Sequence, residues 1–209
     1  MPAEKPDARW TRTRQRLLDG GRKAFAVAGV EATTVLDIVR AAGVSQPSFY
    51  NHFATKADLA REIATEFFRK DRQAKLAVFE QIEDPAEAIA INIGQTLSIA
   101  TRDSVIAWTL IKSEALRELV ISSSNDPLVD MINSGVSQGR FNVENPRTVA
   151  LVIRAAALAM VQDILNGTAG DAAATYFQKL VLQMLGLSPE ESAEAVTRAQ
   201  TRSELGEVA

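Results

Sequence analysis

The chain has 209 residues, a formal net charge of −3, one histidine and no cysteine. This length can hold one large or two small domains with an ample core. The lack of cysteine excludes disulfides and thiolate metal sites, and a single histidine leaves little material for zinc binding or a histidine-based triad. We therefore expect no metal, no other cofactor and no catalytic residues.

Charge is distributed unevenly along the chain. Residues 1–60 carry nine Lys/Arg against six Asp/Glu, whereas the remainder carries fourteen against twenty. A basic head on an acidic body would orient the molecule on a polyanion. The polar N-terminus does not resemble a signal sequence, and no apolar run approaches the length of a transmembrane span. We therefore expect a cytoplasmic protein with no membrane partner.

The N-terminal region is predicted to form one helix after a short lead-in. Residues 1–8 hold two prolines and three charges and are expected to be disordered. The helix runs from Arg9 to Ala28 and ends at Gly29. Gly20 and Gly21 should weaken it by roughly 1 kcal/mol each relative to alanine, and the pattern gives no reason for them. Its arginines either form a solvated face or contact DNA, and they are Arg9, Arg12, Arg14 and Arg16.

The stretch from Thr33 to Lys56 contains two short helical patterns separated by a tight turn. Thr34 and Asp37 form a candidate capping box at the start of the first helix, and Gly43 supplies a left-handed turn at its end. The buried face of that helix is marked by apolar residues at i, i+3, i+4 and i+7, which are Val35, Ile38, Val39 and Ala42.

The second helix is predicted to begin after its cap Ser45 and to bury the i, i+4 pair Phe49 and Phe53. Two helices of about two turns each, joined by a glycine turn, predict a helix-turn-helix whose second helix enters a DNA major groove. Lys56 begins the following helix, where the helix dipole disfavours a cation unless a phosphate lies opposite. An αα-hairpin that touches no nucleic acid is the alternative interpretation.

The polar positions of this motif are candidate DNA contacts. Neutral or weakly basic hydrogen-bonding side chains suit base edges and phosphates better than a salt-bridged solvent face would. Pro47 offers only apolar contact, so direct base readout falls mainly to Gln46 and Ser48. The full set of candidate DNA-binding residues is Thr33, Thr34, Ser45, Gln46, Pro47, Ser48, Tyr50, Asn51, His52 and Lys56.

Helices are also predicted for the rest of the chain, because its prolines directly follow capping residues. A long helix from Lys56 to about Glu83 would span on the order of 40 Å and connect the head to the body. The cap-proline pairs are Asp84-Pro85, Asp126-Pro127, Asn145-Pro146 and Ser188-Pro189. Helices are expected near 85–100, 103–121, 127–138, 146–166, 171–185 and 189–202, with stops at Gly139, Gly167 and Gly186. The predicted fold class is all-α.

Two further predictions concern the body. The helix near 146–166 is apolar nearly all round, so we predict that it forms a homodimer interface with the helix near 171–185. Burial within one subunit is the alternative. We also predict a mainly apolar pocket with a few polar anchors for a small-molecule effector, apolar or aromatic rather than highly charged. Its candidate residues, each otherwise plain core, are Asn92, Gln95, Thr96, Trp108, Met131, Arg154 and Met160.

From about Arg12 to Phe68 the sequence resembles the DNA-binding domain of the tetracycline-repressor (TetR) family. The matching residues are Thr33-Thr34-Val35, Asp37-Ile38, Ala42-Gly43-Val44-Ser45, Phe49-Tyr50, His52-Phe53, Lys56 and Leu59. The resemblance implies an N-terminal three-helix helix-turn-helix domain, residues 9–55, followed by a helical ligand-binding and dimerisation domain, residues 56–209. It also implies a homodimer that a small molecule releases from its operator or otherwise alters.

We therefore predict a ligand-responsive, DNA-binding transcriptional regulator, most simply a homodimeric repressor of a pseudo-palindromic operator in double-stranded DNA. One alternative is an enzyme whose helical body does the chemistry and whose N-terminal head is an appendage. The poverty of nucleophiles and bases argues against it. Another alternative is a helical adaptor that binds only protein. The sequence does not distinguish a repressor from an activator, and it does not identify the effector.

Overall fold

The computed structural model describes residues 8–79, 82–112, 127–170 and 172–204, and all regular secondary structure within these ranges is helical. The helices are α1 Ala8–Ala32, α2 Val35–Ala42, α3 Gln46–Tyr50, α4 Lys56–Phe79, α5 Pro85–Arg102, α6 Ser104–Lys112, α7 Pro127–Ser137, α8 Pro146–Leu165, α9 Ala173–Met184 and α10 Pro189–Glu204. The predicted all-α class is confirmed. The predicted extension of α6 to residue 121 and the predicted cap at Asp126 lie outside the described residues.

The body helices begin where the cap-proline pairs predict. Asp84 accepts a hydrogen bond from the backbone N–H of Ala86 at 2.9 Å, and Asn145 accepts one from Thr148 at 3.0 Å. The Ser188 hydroxyl accepts one from the N–H of Glu191 at 3.1 Å. Each cap satisfies an N–H that has no partner inside its own helix. The predicted stops Gly139, Gly167 and Gly186 all have positive φ.

Helix α1 continues one turn beyond the predicted end. Gly29 adopts φ 74° and ψ 166°, so the regular helix is broken there as predicted. The chain then makes one more helical turn to Ala32, and the N–H of Thr33 donates to the carbonyl of Gly29 at 3.3 Å. The sequence pattern missed this turn because a glycine with positive φ usually ends a helix.

Gly20 and Gly21 lie where α1 meets two other helices of the head. A Cβ on Gly20 would lie 2.6 Å from the backbone nitrogen of Ala42 in α2, and one on Gly21 would lie 2.6 Å from Cδ2 of Leu59 in α4. Both glycines are buried. The pair therefore lets α2 and α4 approach the α1 backbone closely, which explains two residues that otherwise weaken a helix.

Helix α5 is the central helix of the body. It contacts α6, α7, α8, α9 and α10, and its buried residues lie on nearly all of its faces. The amide of Gln178 on α9 is buried and donates to the carbonyl of Ala90 on α5 at 2.8 Å. A side chain on Gly94 would meet that amide, 2.8 Å from Cβ to Nε2. The body is thus built around one helix that is surrounded by others.

Head and body meet at α6 as well as along α4. Helix α6 contacts α1 and α4 of the head, and it also contacts α5 and α8 of the body. The sequence predicted only α4 as the connection, because a contact between α1 and α6 leaves no periodic signal. The N-terminal head is therefore supported by a helix that also packs against α5 and α8 of the body.

Ion pairs fasten the C-terminal helix to the start of α5. Asp84 pairs with Arg140 at 3.2 Å and with Arg198 of α10 at 2.5 Å, and Arg140 also pairs with Glu191 at 2.9 Å. Arg198 lies 3.4 Å from the carboxylate of Glu87, whose side chain is 8% exposed. Burial raises the pKa of Asp84, but its backbone hydrogen bond and the two arginines outweigh burial and hold that pKa below its usual value. The carboxylate therefore stays ionised at the joint between α4 and α5.

Helix α8 is unusually apolar for a helix that is only partly covered. It has 20 residues, and its most apolar 18-residue window has a mean hydropathy of 1.8 and is 28% buried. In the part of the chain that the structure describes, it is the one helix that could cross a membrane by length and composition alone. The prediction that no apolar run approaches a transmembrane length is wrong for this helix. Such a single helix is weak evidence for a membrane segment, because core and interface helices pass the same test.

We expect Gly20→Ala to lower the free energy of unfolding by about 1–3 kcal/mol, as measured by urea denaturation. The added methyl group would meet the backbone of Ala42, which cannot move without separating α1 from α2. This cost outweighs the gain in helix propensity of at most about 1 kcal/mol. Gly21→Ala should cost less, since its nearest neighbour is the flexible tip of Leu59.

Gly170→Ala is the matched control for this measurement. Nothing lies within 4 Å of a Cβ at Gly170. The change should alter the free energy of unfolding by less than about 0.5 kcal/mol. A stability for Gly20→Ala equal to or above that of the unmodified protein would contradict the proposed role of the glycine.

Candidate nucleic-acid interface

The first helix of the helix-turn-helix is fixed at both ends by the predicted residues. At its start, the hydroxyl of Thr34 accepts from the N–H of Asp37 at 3.2 Å, and the carboxylate of Asp37 accepts from the N–H of Thr34 at 3.0 Å. The hydrogen bond with the Thr34 hydroxyl is the main reason why the pKa of the Asp37 carboxyl lies below its usual value. At its end, Gly43 adopts φ 61° and ψ 41°, and the N–H of Val44 donates to the carbonyl of Val39 at 3.0 Å. The predicted capping box and left-handed turn are confirmed.

The second helix, α3, is held by its cap and by a buried phenylalanine. The hydroxyl of Ser45 accepts from the N–H of Ser48 at 3.4 Å, and the two hydroxyls lie 2.9 Å apart. Phe49 is fully buried and Phe53 is 4% exposed, as their spacing predicts. Helix α3 ends at Tyr50, earlier than predicted, because the N–H groups of residues 52 and 53 both donate to the carbonyl of Phe49. Five residues therefore form the exposed helix, and a tight turn follows.

Nine of the ten candidate DNA contacts are exposed or half-buried, and one is buried. The exposed members are Thr34, Ser45, Gln46, Pro47, Tyr50 and Asn51, and the half-buried members are Ser48, His52 and Lys56. The tenth candidate, Thr33, is 1% exposed, and its hydroxyl donates to the carbonyl of Gly29 at 2.6 Å. The Thr33 side chain therefore joins the end of α1 to the start of α2 and does not face solvent, where DNA would lie.

Lys56 has partners within the protein. Its ammonium group donates to the carbonyls of Glu31 at 2.5 Å and Thr33 at 2.8 Å. Glu31 is in the last turn of α1 and Thr33 directly follows that helix, so the ammonium group joins the end of α1 to the beginning of α4. This contact accounts for a cation at a helix N-terminus without requiring a phosphate. An ammonium group has three N–H donors, so one remains for a further acceptor.

His52 is covered by the first turn of α1. The rings of Trp10 and His52 are 4.5 Å apart, and Arg14 donates to the His52 carbonyl at 3.2 Å. The Arg14 guanidinium also lies 4.5 Å from the Phe53 ring and pairs with Glu62. Burial, and secondarily the charge of Arg14, lowers the pKa of His52 from 6.5, so the imidazole is neutral at pH 7. Sequence reasoning missed Trp10, whose contact with His52 spans more than forty residues of chain.

The seven candidate effector contacts lie on four helices that pack against one another. Helix α5 contacts α6, α7 and α8, and α8 also contacts α6 and α7. All seven side chains are half-buried: Asn92, Gln95 and Thr96 on α5, Trp108 on α6, Met131 on α7, and Arg154 and Met160 on α8. Burial lowers the pKa of Arg154. The predicted residues thus lie on neighbouring helices of the body.

An apolar face remains exposed on α8 and α9. Large side chains on it are between 38% and 63% exposed, and they are Leu151, Val152, Tyr176, Leu180 and Met184. Ala155 and Ala159 are also exposed and continue the α8 stripe at i+4 and i+8 from Leu151. The two helices that carry these exposed side chains contact each other. This face has the composition of a protein interior.

Comparison with known proteins gives matches over both parts of the chain. Residues 17–63 match the family model for bacterial regulatory proteins of the tetR family, and residues 84–198 match the model for a tetracyclin repressor-like C-terminal domain. The HTH-type transcriptional repressor DhaR of Mycobacterium sp. (strain GP1) is 40% identical over 58 residues, or 28% of this chain and 29% of DhaR. The repressor KstR2 of Rhodococcus jostii (strain RHA1) is 44% identical over 54 residues, 26% of each chain. The chain therefore matches under a third of the length of these relatives.

Solved structures resemble the whole fold. RolR in complex with resorcinol has a TM-score of 0.75 at 22% identity, covering 91% of this chain and 95% of RolR. FadR from Bacillus subtilis in complex with stearoyl-CoA has a TM-score of 0.66 at 17% identity, covering 83% of this chain and 99% of FadR. At such identities, the similarity establishes the arrangement of helices.

We expect Lys56→Ala to lower the free energy of unfolding by about 1–3 kcal/mol in the absence of DNA. The variant would leave the carbonyls of Glu31 and Thr33 without the ammonium group. Thermal and urea denaturation measure the effect. Lys70→Ala is the matched control, because Lys70 lies on the same helix and pairs with Glu66 one turn away, with its side chain 64% exposed. Equal stability of both variants would show that the Lys56 contacts contribute nothing to the fold.

Proposed function

This chain belongs to the TetR family of bacterial regulatory proteins, and on that basis we propose that it is a homodimeric repressor which a small molecule releases from a pseudo-palindromic operator. Regulators of this family bind DNA and act as transcription factors rather than as enzymes. The observation that carries the proposal is the exposed surface of α3, held in place by a capped helix, a glycine turn and a buried phenylalanine. Because the operator is chromosomal DNA, we place its action in the cytoplasm.

In the proposed complex, α3 lies in the major groove. Gln46 and Ser48 are in its first turn, where side chains of a recognition helix reach base edges. Tyr50 and Asn51 are exposed at its end and suit phosphate contact. Lys56 would add its remaining N–H to a phosphate. Thr34, Ser45 and Pro47 would lie along the DNA backbone, and His52 would support α3 from its covered side.

The exposed apolar face of α8 and α9 supports dimerisation. A contiguous apolar face of this kind marks a protein interface or a membrane contact. Arg154 lies near the middle of α8, where a charged residue disfavours a membrane span. The same face on a second copy would be self-complementary about a two-fold axis. Such a dimer would place two α3 helices about 34–36 Å apart, one turn of duplex, and would read a pseudo-palindrome.

The region between α5, α6, α7 and α8 would bind the effector. It offers methionine, tryptophan and a few polar groups, which suits an apolar or aromatic molecule. Resorcinol, bound by RolR, is an aromatic ligand of this kind, and stearoyl-CoA, bound by FadR, joins an apolar acyl chain to a charged coenzyme A. Helix α6 contacts this region and also contacts α1 and α4. An effector that prefers one placement of α6 by about 1–3 kcal/mol would change the position of the head.

Selection of genomic DNA fragments by the purified full-length chain tests the function. We expect recovery of fragments that share a pseudo-palindrome, with gel retardation that weakens as salt increases. Retention of no fragment at low ionic strength would overturn the proposal and favour a helical adaptor that binds only protein.

Base readout and phosphate contact make different predictions on the selected operator. Gln46→Ala should relax preference at one base pair per half-site by about 1–3 kcal/mol. Tyr50→Phe should weaken binding to all sequences by about 1 kcal/mol, because one phenolic donor is lost. Binding assays on operators mutated at each position measure both effects. Uniform weakening by Gln46→Ala would show that Gln46 does not read a base.

We expect Ala155→Glu to convert the dimer into monomers, raising the dissociation constant at least about 100-fold, because it would bury an unpaired charge. Analytical ultracentrifugation measures the change. Thr197→Glu, on the exposed face of α10, is the matched control and should leave the dimer intact. A dimer that persists in Ala155→Glu would place the interface elsewhere.

A further inference from the structure

Helix α1 holds the turn of the helix-turn-helix at two points on one of its faces. Gly20 provides the first, since its bare backbone lets Ala42 approach so closely that a Cβ would lie 2.6 Å from the Ala42 nitrogen. Arg16, one helical turn earlier, provides the second. Its Nε donates to the carbonyl of Ala42 at 3.0 Å, and its Nη2 donates to the carbonyl of Gly43 at 2.5 Å. Ala42 is therefore held by packing and by a hydrogen bond, and Gly43 is held by a hydrogen bond.

The chemistry of this contact suits arginine. The last carbonyls of a helix have no intrahelical donor and carry the negative end of the helix dipole. A guanidinium is planar and always charged, and it presents several N–H groups in a fixed fork. A Cβ on Gly43 would lie 2.7 Å from Nη2 of Arg16, so the guanidinium lies directly against the left-handed turn.

The turn that Arg16 holds determines where the recognition helix begins. Gly43 is followed by Val44 and then by Ser45, the cap of α3. Rotation of the peptide after Gly43 would therefore redirect α3 and the base-reading side chain of Gln46. The N–H groups of Gly43 and Val44 are bonded back to α2, but the carbonyls of Ala42 and Gly43 receive Arg16.

We propose that Arg16 is a positioning residue for DNA recognition, which fixes the direction of α3 through the carbonyls of Ala42 and Gly43 rather than neutralising a phosphate. The sequence left solvated-face and DNA-contact roles open for the four N-terminal arginines. Arg14 and Arg16 instead have partners inside the head, whereas Arg12, which is exposed like Arg16, has no partner among the described residues. The part of this proposal that concerns DNA recognition rests on the operator binding proposed above.

Salt-dependent binding separates positioning from phosphate contact. Loss of one phosphate contact reduces the slope of log affinity against log salt by about 0.9, whatever the sequence. Loss of positioning instead lowers the ratio of operator affinity to non-specific affinity. We expect Arg16→Ala and Arg16→Lys both to lower that ratio by roughly three- to tenfold with an unchanged slope. Lysine keeps the charge but lacks the planar set of N–H donors, so Arg16→Lys should not restore the affinity ratio.

Arg12→Ala is the matched control, because it removes the same charge from an exposed position on the same helix. It should leave the specificity ratio unchanged. The proposal is overturned if Arg16→Lys restores the ratio while Arg16→Ala reduces the salt slope by about one, since that pattern is the signature of a phosphate contact.

A second measurement does not depend on DNA. Amide hydrogen exchange of Val44 reports the opening of the turn, because its N–H is bonded to the carbonyl of Val39. We expect roughly three- to tenfold faster exchange at Val44 in Arg16→Lys, with the far-ultraviolet circular dichroism unchanged. Unchanged exchange would overturn the positioning role even if the protein bound no DNA. Failure of the unmodified protein to bind any fragment would instead overturn the proposed function alone.

Discussion

The close approach of α1 to α2 and α4 is the constraint on which the DNA head depends. Without side chains at residues 20 and 21, the α1 backbone lies against Ala42 on one side and Leu59 on the other. Glycine lowers the intrinsic stability of a helix, but the close packing of α1 against its neighbours requires it here. The packing outweighs this local cost. The distance between these helices in turn places the Ala42–Gly43 turn within reach of Arg16.

Polar groups that look available in the sequence are used mainly to hold the head together. Thr33, Lys56, Arg14 and Arg16 each donate to backbone carbonyls at helix ends or turns. Such carbonyls need donors, and a small three-helix domain has few other groups to supply them. The proposed recognition surface is consequently small and almost uncharged, which suits base edges better than a long-range attraction to phosphate.

Local sequence signals predicted the helices, whereas contacts between residues far apart in the chain could not be predicted. Caps before prolines and glycines after helices gave the helix bounds within a few residues, because both act through hydrogen bonds between near neighbours. The same reasoning identified the exposed positions of α3. It could not foresee that Thr33 turns inward, that Trp10 covers His52, or that α6 touches α1, because no spacing along the chain encodes those meetings.

The ion pairs of α10 have a consequence for the order in which the molecule is completed during synthesis. Asp84 and Glu87 precede Arg198 by 114 and 111 residues, so the ribosome makes both carboxylates long before Arg198. The head and α5 therefore emerge while the joint between them still lacks its ion pairs to α10. A nascent or truncated chain ending before α10 carries the complete recognition motif and the Asp84–Arg140 pair, but it lacks the ion pairs between α10 and the start of α5.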